Sequence, residues 1–172
     1  MINISNSKKG YTLVEALIYI AIFVVMSSVM VSLILLILET NRQVAPLNSL
    51  SRGAISTLEI ISREIRNASS IDTVGSVMGT STGSLKINTF DQRGSPKTIK
   101  FYLDLGVIKL AENDIYLGPL TTDDVVANSL FFDLATSTNQ NLIRIEMDLT
   151  AGSGKHQKNE RFYSSTKLRV DN

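Results

Sequence analysis

The sequence predicts an α+β protein in which one long N-terminal helix is followed by an antiparallel β-sheet, with the helix covering one sheet face. Three observations carry this. Residues 16–38 contain no charged side chain, residues 47–68 place apolar side chains at spacings of three and four, and from Leu85 onward the apolar period falls to two. With 172 residues in all, the part after the charge-free run suffices for a single compact domain.

The charge-free run comes first. As a helix it measures roughly 35 Å, a little more than the ~30 Å hydrocarbon core of a bilayer, so it is long enough to span with some tilt. Lys8 and Lys9 precede it and no further cation follows until Arg42, which places the N-terminus in the cytoplasm and the rest of the chain outside. Glu15 stands at the edge of the run, where a carboxylate is expensive: about 2.5 to 3.5 kcal/mol at a helix centre, and less toward an interface. No basic residue within the run can pair with it. A cut after Gly10 would create an α-amino cation on Tyr11, and that amine on a neighbouring copy could pair with Glu15 where the low dielectric strengthens the attraction.

Lys8-Lys9-Gly10 followed by Tyr11-Thr12-Leu13-Val14-Glu15 and a long apolar helix resembles the type IV prepilins and pseudopilins. The resemblance implies a type IV pilin-like fold. It makes residues 1–10 a class III signal peptide removed by a prepilin peptidase after Gly10, and Tyr11 the first mature residue and the N-methylation site, where the family usually has phenylalanine. Glu15 becomes the acidic fifth mature residue, acting with Tyr11 in subunit assembly, while Lys8 and Lys9 set the topology. Residues 11–38 would form the transmembrane and filament-core helix, 39–70 an amphipathic helix continuing into the globular domain, and 71–172 the antiparallel sheet domain. A secretory signal peptide has a shorter apolar core, of about 7 to 15 residues, with its cleavage site after that core. An uncleaved anchor accounts for the length but leaves Glu15 unexplained.

Within the span, Ser27, Ser28 and Ser32 can either bond back to the helix or let neighbouring helices approach. Pro46 removes a helix hydrogen bond and disfavours the α conformation at Ala45, so a kink or short break is expected near residues 44–47. Beyond it Leu47, Leu50, Ala54, Leu58, Ile61, Ile65 and Ala68 form one apolar stripe. Arg52, Glu59, Arg63 and Arg66 fall mostly on the other side, with Glu59 and Arg63 at ion-pair spacing.

Residues 75–84, rich in Gly, Ser and Thr, read as an exposed loop. Leu85 and Ile87, then Ile99, Phe101, Leu103 and Leu105, then a short strand over 107–111, alternate with polar neighbours across turns at 91–96, Gly106 and Asn113-Asp114. Gly118-Pro119 and residues 121–124 form a connection. Leu130, Phe132 and Leu134 line one strand face; over 142–149 Ile143, Ile145, Met147 and Leu149 point inward. A polar loop over 151–159 leads to a last strand over 161–170. The helix end at 63–68 and this terminal strand, loop and strand look like those of minor pseudopilins of the J or W type.

Charge is balanced: apart from Lys8, Lys9 and Glu15, every ionised residue lies after Leu38, among totals of 17 Lys plus Arg and 16 Asp plus Glu. That leaves no broad basic field for nucleic acid. Cys and Trp are absent, so the chain lacks the C-terminal cystine of many Gram-negative pilins. His156 is the only histidine and sits beside Lys155 and Lys158, too little for a catalytic triad or a zinc site. Asp123 and Asp124 could join Asn113 or Asp114 around calcium, but these are also ordinary turn residues and no EF-hand pattern is present. Lys155, Lys158, Arg161, Lys167 and Arg169 gather near the last hairpin, where DNA capture is the specialised reading and solvated strand faces the ordinary one.

No catalytic, cofactor or metal site is expected, and no phosphate-binding loop is present. Two functions remain. One is a structural minor pilin or pseudopilin of a type IV pilus or fimbrium, a type II secretion pseudopilus or a competence DNA-uptake filament. Its partners would be the prepilin peptidase, other pilin subunits, an inner-membrane assembly platform and membrane lipid. The other is a non-polymerising, single-pass anchored domain that binds an extracellular ligand.

Overall fold

Apolar side chains surround the first helical segment without a polar stripe, and the computed structural model, which describes residues 12–137 and 140–168, leaves them unburied. The helix α1 (Leu13–Asn67) contributes to both units of the chain, Met1–Arg42 and Gln43–Asn172. In the first unit Ile18, Phe23, Met30 and Leu36 are each more than half exposed. A helix apolar all round requires a non-aqueous neighbour, and this one is long enough to cross a membrane. Three of its hydroxyls bond back to the helix: Ser28 donates to the Val25 carbonyl, Ser32 to that of Ser28, and Thr40 to that of Leu36. Back-bonding is therefore what Ser28 and Ser32 do.

The break expected near 44–47 does not occur, because α1 runs through Pro46. Proline forfeits only the bond to the carbonyl of Arg42, whereas restarting a helix would require a new and costly nucleus. The ring packs over Gly152, whose φ of +85° suits glycine; a Cβ there would lie 3.0 Å from Pro46 Cγ. From Leu50 onward the predicted stripe is buried: Leu50, Ala54, Ile61 and Ile65 are fully enclosed, with Thr57 beside them donating to the Leu120 carbonyl at 3.1 Å. Arg63 meets Glu64 at 3.5 Å, where the spacing had pointed to Glu59.

The helix packs against antiparallel sheets, the α+β pilin-like arrangement that was expected. It ends at Asn67, short of the expected 70, and an edge strand, β1 (Ser70–Val77), follows whose last three residues had been read as loop. β2 (Ser84–Phe90), β3 (Pro96–Asp104), β4 (Val107–Glu112) and β5 (Ile115–Pro119) follow in a five-stranded sheet of order β1-β2-β3-β4-β5. A single sheet was expected, yet β6 (Val125–Ser137), β7 (Gln140–Ala151) and β8 (Lys158–Lys167) form a second, with a 3-10 turn at Gly154–His156 before β8. β8 thus starts earlier than the expected 161; Arg169 and Val170 lie outside the described residues.

One core joins the helix to both sheets. Leu85, Ile87 and Phe101 come from the first, and Leu130, Phe132, Ile143, Ile145 and Met147 from the second. Leu105 departs from its predicted inward place. It occupies the β3–β4 turn at φ +50° and is 93% exposed, a left-handed conformation that costs a non-glycine residue about 1 to 2 kcal/mol. Among the described residues, no buried side-chain nitrogen or oxygen lacks a hydrogen-bond partner.

Candidate functional site

The site is the beginning of α1, and its local geometry follows from four residues. Thr12 stands directly before the helix; its Oγ1 accepts the N–H of Glu15 at 3.3 Å and its carbonyl accepts that of Ala16 at 3.2 Å. The first turn of a helix has N–H groups with no intrahelical acceptor, and a threonine three residues before a glutamate is the spacing that satisfies one of them. Glu15 also lies in the first turn, where the partial positive charge of the helix terminus favours a carboxylate. Its cost at the edge of an apolar segment is thus offset partly within its own helix.

Tyr19 adds a second local partner. One turn further on, its hydroxyl donates to Glu15 Oε1 at 3.2 Å, as side chains four apart share a helix face. Neither Thr12 nor Tyr19 is a cation, yet both serve Glu15, and the Thr-x-x-Glu spacing and the i,i+4 tyrosine that signal them stand in the sequence. Thr12 holds the backbone of Glu15, and Tyr19 orients its carboxylate; the residue is half-buried. Lys8, Lys9, Gly10 and Tyr11 lie outside the described residues. Replacing Thr12 by alanine is expected to remove about 1 kcal/mol from the helix start, observable in detergent micelles as faster amide exchange at residues 13–15 with the remainder of α1 unchanged.

The other candidates are dispersed. Asn113 and Asp114 form the β4–β5 turn, where Asn113 Oδ1 accepts the Thr98 N–H and Asp114 pairs with Lys86 at 3.0 Å. Asp124 instead lines a shallow groove of about 330 Å³ with Ser49, Arg52, Ser56 and Thr122. The proposed calcium donors therefore sit in separate places, and among the described residues no three His, Cys, Asp or Glu side chains gather as a metal site would need. His156 closes the 3-10 turn. Arg161 is engaged by Glu146 at 3.4 Å and Asp148 at 3.6 Å, so part of the charge near the last hairpin is already neutralised.

Hydrogen bonds from Ser49 and then Thr122, aided by the Arg52 charge, hold the Asp124 carboxyl below its ordinary value of 3.8. A folded-state value below the unfolded one stabilises above the unfolded value, and that stability is lost as pH falls through the lowered one. Asp124 is exposed, so solvent screening limits the effect to about 0.5 kcal/mol. Asp124→Asn is expected to lower the stability from urea unfolding at neutral pH by that amount (~0.5 kcal/mol) and to leave it little changed at the acid end, where the carboxyl of the wild type is protonated, so that the acid limb flattens.

No curated protein and no solved structure matches the chain. Residues 5–38 match the family described as the prokaryotic N-terminal methylation motif. They enclose Lys8, Lys9, Gly10, Tyr11, the Thr12 cap, Glu15 and Tyr19, and end where the charge-free run ends. The start of this chain is therefore an N-terminal methylation motif, the class III signal peptide typical of type IV prepilins and pseudopilins.

Proposed function

We propose that this chain is a minor pilin or pseudopilin, a structural subunit rather than an enzyme. It inserts with Lys8 and Lys9 in the cytoplasm, is cut after Gly10 by a prepilin peptidase, and is N-methylated on Tyr11. An inner-membrane assembly platform then draws its N-terminal helix into a filament beside other pilin subunits. Pairing of Glu15 with the Tyr11 amine of a neighbour sets the axial register, and Tyr19 holds the carboxylate in place for it. The filament is a type IV pilus, a type II secretion pseudopilus or a DNA-uptake fibre, and the C-terminal hairpin β7–β8 favours a minor subunit of the J or W type.

The observation that carries the reading is a coincidence along the chain. The methylation motif at residues 5–38 overlies a helical stretch whose apolar side chains find no cover within the protein. On coexpression with a prepilin peptidase, the chain is expected to shorten so that its first residue is Tyr11, as read by N-terminal sequencing or intact mass. Gly10→Val is expected to abolish the cut. An uncut wild-type chain would instead favour the non-polymerising anchored domain.

A further inference from the structure

The groove beside Asp124 lies within the second unit, and a role in filament assembly through the N-terminal helix leaves it unused. One wall is a face of α1, where Arg52, Gly53 and Ser56 stand three, four and seven residues beyond Ser49 and so share its side of the helix. The other is the connection after β5, through Leu120, Thr122 and Asp124. Thr57 ties the walls together by donating to the Leu120 carbonyl at 3.1 Å, and the Val125 N–H returns to the Thr122 carbonyl at 3.0 Å, closing the turn that carries Asp124. The recess of about 330 Å³ is thus formed by the fold itself, as small-molecule sites usually are.

Gly53 keeps it open. A Cβ there would meet Val125 at 3.5 Å, an ordinary contact, so the packing of α1 on β6 has no need of glycine. Glycine inside a helix is disfavoured against alanine. Its missing Cβ leaves room in the recess that it lines.

The two walls carry opposite charges that do not close on each other. Arg52 is exposed, and among the described residues it forms no ion pair. Asp124 turns to the hydroxyls of Ser49 and Thr122, with the Arg52 charge helping to keep its carboxyl ionised. The other charged residues near this turn, Asp123 and the Lys155 and Lys158 of the loop before β8, do not line the recess.

This arrangement selects by charge. A guanidinium offers a planar fork of N–H donors that matches a carboxylate, whereas Asp124 accepts from an ammonium. A simple anion would also face Asp124 and a simple cation would also face Arg52, so each meets one repulsion. A small molecule carrying both charges meets none. Leu120 is the one apolar side chain in the lining, so there is cover for only a short aliphatic group.

We propose that this groove binds an α-amino-acid head group, with its carboxylate on Arg52, its ammonium on Asp124 and a short aliphatic portion against Leu120. The site draws only on residues of the second unit, so it stands apart from the processing and assembly of the chain's start.

The test is a titration of the full, isotope-labelled chain in micelles of an uncharged detergent, followed by the amide resonances of Arg52, Ser56, Thr122 and Asp124. L-alanine is expected to shift them saturably, half-maximally at roughly 1 mM. N-acetyl-L-alanine, which lacks the ammonium, and L-alanine methyl ester, which lacks the carboxylate, are expected to bind at least tenfold more weakly. Arg52→Gln is expected to weaken L-alanine binding at least tenfold as well. Gly53→Ala is expected to weaken it while raising the urea midpoint, an opposed pair of effects that misfolding cannot produce. Nε-acetyl-L-lysine carries the same head group on a longer tail. Binding equal to that of L-alanine would assign the site to the free end of a larger molecule, and weaker binding to a free amino acid.

Shifts that grow linearly with L-alanine and never saturate would overturn the proposal. So would equal binding of either singly charged analogue, or unchanged binding by the Arg52→Gln chain.

Discussion

With Glu15 replaced by alanine, the chain is expected to be cut after Gly10 as before, yet to enter filaments at least tenfold less than wild type when both are coexpressed. A tenfold loss is about 1.4 kcal/mol, well within what a carboxylate and an amine can exchange at contact distance in a medium less polar than water. The globular unit should be unaffected, because Glu15 belongs to the first unit and its described hydrogen bonds stay within the first turns of α1. The measurement is the ratio of the two chains in sheared filaments against their ratio in membranes. Tyr19→Phe should give an intermediate defect, since it removes the hydroxyl that orients Oε1 while keeping the charge. Equal incorporation of the alanine variant would remove the carboxylate from the assembly mechanism.

Phe132→Ala is expected to cost about 3 to 5 kcal/mol, the largest effect anticipated for a single substitution. Phe132 is fully buried, lies opposite Ile145 in the β6–β7 register, and belongs to the core that both sheets and α1 share. Domains of this size are stable by only about 5 to 15 kcal/mol, so a third or more of the margin would be lost. Urea unfolding of the detergent-solubilised chain, followed by far-ultraviolet circular dichroism, should show a lower midpoint with an unchanged slope. Targeting and cleavage depend on residues 5–38 and should survive, so the variant would be processed and then degraded.

The part of the chain most legible in sequence was the part that acts locally. A methylation motif and an apolar span are each short stretches that can be recognised on their own, so residues 5–38 are legible without reference to anything distant. The buried halves of the principal strands were legible for a related reason. Ile143, Ile145, Met147 and Leu149 alternate with polar neighbours because one sheet face meets the core and the other meets water.

Edge strands offer no such signal. β1 and β5 each pair on one side only, and neither has a fully buried residue, so their side chains have no face to keep apolar. Residues 75–77 of β1 accordingly read as loop, and Gly118-Pro119 of β5 as connection. Leu105 failed in the opposite sense: it continued the apolar alternation of β3, but the positive φ of the turn removes it from the strand and faces it to solvent.

The sequence by itself determined the apolar first segment, the processing motif, the buried stripe of the second helical half and the inward residues of the central strands. Each follows from how neighbouring residues partition between water and an apolar phase. Only the tertiary structure decided the division into two sheets, the passage of α1 through Pro46, and the end of the second unit at which Leu105 and the Gly152 loop emerge. These depend on partners far apart in the chain: Pro46 keeps its place against Gly152, and Gly106 is held by Ala127. Distant residues become neighbours only after the core has closed, so no local pattern of apolar and polar residues encodes them.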